Sequence, residues 1–170
     1  MARHRGPFDP PPQPASRWLI PAASIIAGSC ITLLPVIAQI PLLPPFGYML
    51  LLGWRLARGE ALPVWAPLPL GLVDDLFSGQ PFGNAMLFWT LSYFAIDLLD
   101  QRFVARDFWQ DWLLAAGAVA GYLVTGRLIA VPLAAHVDTA LIVQVTVSAL
   151  LYPVIAQIVA WADRRRLAAT

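Results

Sequence analysis

The chain has 170 residues, of which 59% are hydrophobic and 12% charged, and its mean hydropathy is +0.67. A soluble domain carries about 25% charged residues, so this composition excludes a protein surrounded only by water and indicates membrane spans. The formal net charge of +1 lacks the basic excess of a nucleic-acid-binding protein, and a single cysteine, Cys30, excludes an internal disulfide.

The first 16 residues are polar and rich in proline, which predicts a disordered or polyproline-like cytoplasmic tail. They lack the short basic region leading straight into an apolar one that marks a cleavable signal peptide. We expect a six-span transmembrane domain over residues 17–163 and a basic cytoplasmic tail over residues 164–170.

Apolar runs separated by proline, glycine and charged residues predict an all-α, polytopic membrane helix bundle. The second run is short for a span of about 20 residues, so an earlier start, a tilted helix and a re-entrant segment all remain open. Three prolines predict a distorted start for the third apolar run. The predicted spans cover residues 18–39, 46–56, 62–77, 84–99, 112–131 and 139–161.

The positions of the arginines predict how the chain threads the membrane. Lysine is absent, and ten of the eleven arginines flank the spans on one side if the chain crosses six times. Short cytoplasmic loops collect basic residues, so we expect both termini in the cytoplasm. The eleventh, Arg127, lies within the fifth predicted span.

Two adjacent carboxylates, Asp74 and Asp75, end the third apolar run, and Gly79 and Gly83 follow in the turn. Carboxylates at membrane depth are costly and usually mark a working site. We expect one of the two to pair with Arg127, because arginine can grip a carboxylate with two parallel hydrogen bonds. Two alternatives are a water-capped helix end with a snorkelling arginine and a proton or cation relay.

Small residues predict where helices approach closely. Gly117 and Gly121 form a GxxxG pair on one face of the fifth span, which suits a neighbouring or partner helix. Ser24 and Gly28 form a similar pair in the first span.

Motifs typical of catalytic, metal-binding or phosphate-binding sites are scarce in this sequence. His136 has no cysteine or histidine at metal-ligand spacing, and no nucleophile–base pair or glycine-rich phosphate loop is present. We therefore expect no enzyme activity, no cofactor and no metal. Asp97 and Asp100, at the end of the fourth span, are expected to be solvated.

The stretch from Gly71 to Gly79, GLVDDLFSG, followed by Pro81-Phe82-Gly83, resembles the central signature of the bacterial MreD family of rod shape-determining proteins. In that match Asp75 takes the place of the signature aspartate. The predicted size, six spans and basic tail also resemble the family, whereas the proline-rich tail and Arg127 depart from its pattern.

The resemblance implies a non-catalytic inner-membrane component of the elongation machinery. Such a protein binds the bitopic protein MreC and, through it, the MreB filament and the peptidoglycan synthases; lipid surrounds it, and a homodimer remains open. The predicted bundle also looks like the substrate-binding component of energy-coupling-factor transporters. That likeness implies the alternative, a small-molecule or lipid-binding transporter subunit with a pocket beside Asp75.

Overall fold

The computed structural model describes residues 16–31, 43–78, 82–101, 107–130 and 138–168. Within these ranges the chain forms six helices and no strand, which confirms the all-α prediction. The proline-rich tail, the loop with His136 and the turn with Gly79 lie outside the described residues. The helices are α1 Ser16–Cys30, α2 Phe46–Ala57, α3 Pro67–Ser78, α4 Asn84–Asp100, α5 Phe108–Ala130 and α6 Asp138–Ala168.

Helix α2 is the centre of the bundle, since it packs against each of the other five helices. Apart from Arg55 its residues are uncharged and mostly apolar, as expected of a helix that is largely buried. Eight of its twelve residues are buried, and Tyr48, Met49 and Trp54 are completely covered. The second predicted span, whose path through the membrane the sequence left open, is therefore the one around which the other helices pack.

Contacts between helix ends show that α2, α4 and α6 run in the same direction. The carboxyl end of α2 carries Arg55 and Arg58, which form ion pairs with residues at the carboxyl ends of α4 and α6. We call this the arginine end. Asp74 and Asp75 lie at the other end of α2, which we call the aspartate end. This arrangement agrees with the predicted grouping of Arg55 and Arg58 with Arg164–Arg166.

The small residues of α1, which predicted a close helix contact, face α2. A Cβ atom at Gly28 would lie 3.1 Å from the backbone nitrogen of Gly47, so the two helices are in close contact there. One turn earlier, Ser24 Oγ accepts a hydrogen bond of 2.9 Å from Trp54 Nε1. The short side chains thus allow both close packing and a polar link between the helices.

Among the described residues, two helices are long and apolar enough to cross a membrane. They are the 22-residue stretch Phe108–Ile129 of α5 and the 29-residue stretch Thr139–Leu167 of α6. Both present large apolar side chains outward, including Leu113, Leu128 and Leu150. A surface of this kind is suited to lipid or to partner helices rather than to water.

Three helix boundaries differ from the sequence prediction. Helix α3 begins at Pro67 rather than at residue 62, because Pro63 lies in a run of turns before it. Helix α5 already begins at Phe108. Helix α6 continues to Ala168, so Arg164–Arg166 belong to a helix where we expected a tail.

Candidate functional site at the junction of α3 and α4

Asp75 caps the helix that follows its own. Its Oδ1 accepts a hydrogen bond of 2.8 Å from the Ala85 backbone nitrogen, and its Oδ2 accepts bonds of 3.0 and 3.1 Å from those of Gly83 and Met86. The first backbone N–H groups of a helix have no partner within the helix, and its dipole favours a negative charge there. The buried Asp75 carboxylate satisfies three such donors and joins α3 to α4.

Gly83 has a backbone conformation that favours glycine. Its φ angle is 92°, in the left-handed region, and it is the residue immediately before α4. A side chain at this position would be strained even though no other described residue lies within 4 Å of its Cβ atom. The left-handed turn allows the Gly83 N–H to point back at Asp75.

Gly71 allows α3 and α4 to pack almost backbone to backbone. A Cβ atom at this position would lie 2.7 Å from Met86 Cα and 2.9 Å from the Ala85 carbonyl carbon. These are the residues whose N–H groups Asp75 binds. Gly71 and Asp75, four residues apart on one face of α3, therefore form a single junction with the first turn of α4.

Asp74 points into the bundle rather than toward α4. It is buried beside the hydroxyl groups of Ser29 in α1 and Tyr122 in α5. Gly47 of α2 makes room for it, since a Cβ atom there would lie 3.2 Å from Asp74 Oδ1 and would overlap Ser29 Oγ. Asp74 thus lies between hydroxyl groups from two other helices, α1 and α5, and against the backbone of α2.

Aromatic side chains cover this polar group from the α4 and α5 sides. Tyr48 stacks on Trp89 with ring centroids 5.7 Å apart and contacts Tyr122 at 5.0 Å. The Tyr48 hydroxyl is hydrogen-bonded to Ser92. The centre of the bundle is therefore a packed aromatic layer with Asp74 beside it.

The expected ion pair between Arg127 and the aspartates does not form. Both carboxylates are buried, whereas Arg127 is exposed, and in the described part of the chain no salt bridge joins it to either aspartate. Asp75 obtains its partners from the α4 backbone, and Asp74 from hydroxyl groups. The predicted ion pair was wrong because backbone N–H groups and hydroxyl groups take the place of the arginine.

Arg55, near the end of the second predicted span, is one of two buried arginines among the described residues, the other being Arg166. Its Nη2 lies 2.8 Å from Asp97 Oδ1 and 2.9 Å from Asp100 Oδ2, and its side chain is 3% exposed. Its guanidinium also lies over the Tyr93 ring. Asp97 and Asp100, expected to be solvated, therefore join α4 to α2.

A second group of ion pairs at the arginine end joins α2 to α6. Asp163 accepts from Arg58 Nε at 2.8 Å and from Arg166 Nη2 at 2.6 Å. Arg166 is buried and its guanidinium lies 5.4 Å from the centroid of the Trp54 ring. At the arginine end, ion pairs thus join α2 to α4 through Arg55 and to α6 through Arg58.

Replacement of Arg55 by lysine tests the α2–α4 link. A lysine keeps the charge but loses the flat guanidinium, which lies over the Tyr93 ring while its Nη2 contacts both carboxylates. Because Asp97 and Asp100 are partly exposed, we expect a loss of about 1–2 kcal/mol in the free energy of unfolding, less than for a fully buried pair. Thermal unfolding in detergent measures this loss, and an unchanged midpoint would contradict a role for the guanidinium group in joining α2 to α4.

The two glycines of the predicted GxxxG pair have different surroundings. Gly117 is exposed, and nothing lies within 4 Å of a Cβ atom placed on it. Gly121 faces Phe88 of α4, 3.5 Å from such an atom. The open position is Gly117, on the same outward face of α5 as Leu113 and Val124.

Comparison with known proteins identifies a family. The family described as "MreD: rod shape-determining protein MreD" matches residues 15–162. No curated protein matches the chain, and no solved structure does. The predicted likeness to the substrate-binding component of energy-coupling-factor transporters therefore stays a prediction.

Proposed function

The chain belongs to the MreD family of rod shape-determining proteins, and from this premise we propose that it is a non-catalytic scaffold that binds MreC. Through MreC it would join the MreB filament and the peptidoglycan synthases in the bacterial inner membrane. The family is a membrane-associated part of the shape-determining machinery, and its match covers most of this chain.

The observation that carries this proposal is that the charged groups of the bundle are used to join helices. Asp75 has both oxygens engaged by backbone N–H groups, and Arg55 is held between two carboxylates of α4. A general base needs a carboxylate within reach of substrate, and Asp75 is instead occupied by α4. This use of polar groups supports a structural role over chemistry.

We further propose that all six helices cross or enter the membrane with both termini in the cytoplasm. The meeting of Arg55, Arg58 and Arg166 at one end supports this orientation, because basic residues collect on the cytoplasmic side. Asp74, Asp75 and Gly83 would then lie near the outer surface.

We place the MreC contact on the outward face of α5 that contains Leu113, Gly117 and Val124. This face is apolar and exposed, and Gly117 leaves a gap in it with nothing within 4 Å. A partner helix can approach a glycine more closely than any other residue. Gly121, already covered by Phe88, would support the fold of α5 against α4.

Substitution of Gly117 by leucine tests this contact. The added side chain meets open space in the isolated protein, so folding should be unaffected, while the approach of a partner helix is blocked. We expect MreC recovered with the tagged full-length protein to fall at least about tenfold, which corresponds to about 1.4 kcal/mol.

Substitution of Ala95 by leucine provides the matched control, since Ala95 is a small exposed residue on another helix, α4. It should leave MreC recovery unchanged. Equal recovery with both variants would refute the α5 contact. If instead no MreC is recovered with the unaltered protein and a vitamin or lipid copurifies, the transporter-subunit alternative would replace the scaffold.

A further inference from the structure

The three consecutive arginines near the end of α6 have different environments. Arg166 is buried against Trp54 and bound to Asp163, whereas Arg164 and Arg165 are exposed. Both oxygens of Asp163 are engaged by Arg58 and Arg166. In the described ranges, neither Arg164 nor Arg165 forms an ion pair with a carboxylate.

Arg165 is held in place without such a partner. Its guanidinium carbon lies 4.1 Å from the centroid of the Trp161 ring, within the range of a cation–π contact. Trp161 is itself half exposed. The contact holds the guanidinium over the ring, and no carboxylate in the described ranges takes up its N–H donors.

The length of α6 sets the depth of this pair in a membrane. The apolar part of the helix before Trp161 is about 30 Å long, close to the thickness of the hydrocarbon layer. Trp161 would therefore lie at the interface, where tryptophan is enriched. Arg164 and Arg165 follow at the level of the lipid phosphates.

We propose that Arg164 and Arg165, supported by Trp161, bind the headgroup of an anionic phospholipid at the arginine end of the bundle. Guanidinium groups bind phosphate through paired charge-assisted hydrogen bonds, and the two unpaired cations complement a negative headgroup. The inference rests on the membrane placement given above and is independent of MreC binding.

Native mass spectrometry of the full-length protein in detergent tests the site, with phosphatidylglycerol or phosphatidylcholine added. We expect phosphatidylglycerol to bind preferentially, and the Arg164→Gln/Arg165→Gln double variant to bind it roughly 10- to 30-fold more weakly, since each basic residue near an anionic surface contributes about fivefold. Equal binding of the two lipids, or unchanged binding by the double variant, would overturn the proposal.

Two further variants separate this site from general charge and from folding. Arg127→Gln removes an exposed arginine that follows Tyr122 on α5, and the Tyr122 hydroxyl lies beside Asp74. This variant should leave the preference for phosphatidylglycerol unchanged. Arg166→Gln should lower the unfolding temperature but retain the preference. A double variant that keeps lipid binding and loses an acidic protein partner would assign the arginines to protein and overturn the lipid site. MreC recovery, measured separately, reports on the proposed function.

Discussion

Replacement of Asp75 by alanine is expected to remove most of the folded protein. Three backbone N–H groups at the start of α4 lose their acceptor at once, in a place where Asp75 is 4% exposed. A buried donor without a partner costs about 1–3 kcal/mol, so we expect a loss of about 3–5 kcal/mol in the free energy of unfolding. The yield and monodispersity of the full-length protein on size-exclusion chromatography measure this effect.

Asp74→Asn is the informative comparison, because it changes the adjacent carboxylate. Its neighbours are hydroxyl groups, which can both donate and accept hydrogen bonds, so an amide should be accommodated with a loss of about 1 kcal/mol. Asp75→Asn should be worse, since its NH₂ group would face N–H donors in place of one oxygen. Equal effects of the two asparagine substitutions would refute the assignment of the cap to Asp75.

Replacement of Gly71 by alanine is expected to separate α3 from α4. The new methyl group would lie 2.7–2.9 Å from backbone atoms of Ala85 and Met86, and backbone atoms within a helix cannot rotate away as a side chain can. Overpacking of this kind costs about 1–3 kcal/mol or more. Since the same displacement moves Met86 away from Asp75, we expect the upper end of that range in the unfolding of the purified protein.

Gly117→Ala is the control for this substitution. It makes the same chemical change inside a helix, but with open space around the new methyl group. Alanine in place of a helical glycine stabilises a helix by roughly 0.5–1 kcal/mol, so the unfolding temperature should stay the same or rise. If both alanine variants lose stability equally, close packing at Gly71 is not the cause.

The helices of this bundle could be predicted from composition and from the residues that interrupt the apolar runs. Prolines, glycines and charged residues separate the apolar runs. Helices α2 and α4 match their predicted spans closely, whereas α5 begins earlier and α6 ends later than predicted. The central position of α2 could not be predicted in this way. It depends on which helix the other five pack against, and a short run such as Phe46–Ala57 gives no local sign of that.

The candidate site was located by sequence, but its partners were not. The pair Asp74 and Asp75 is where the pattern placed it, and Asp75 is the residue matched to the family signature. Its partners are backbone N–H groups of a later turn, and residue type does not reveal such donors. Arg127 was chosen instead because side-chain charge is visible in a sequence.

Arg55 was overlooked for a similar reason. It lies near the end of an apolar run next to Arg58, so it looked like part of a polar loop. Its spacing from Tyr48, Leu51 and Leu52 puts it on a buried face of α2. The helical periodicity of the sequence could therefore have predicted its burial. The glycines that control packing, Gly47 and Gly71, occur outside any GxxxG pattern, and only the close approach of another helix identifies them.

The shortness of α2 affects how the protein is made. Twelve residues rise about 18 Å, well under the roughly 30 Å of a bilayer's interior, and the N–H groups and carbonyls beyond its ends would meet hydrocarbon if it stood alone. If α2 enters the membrane as proposed, it would be poorly stabilised there as an isolated anchor. We then expect it to become stable when the later-translated helices that pack on it, among them α6, have been synthesised.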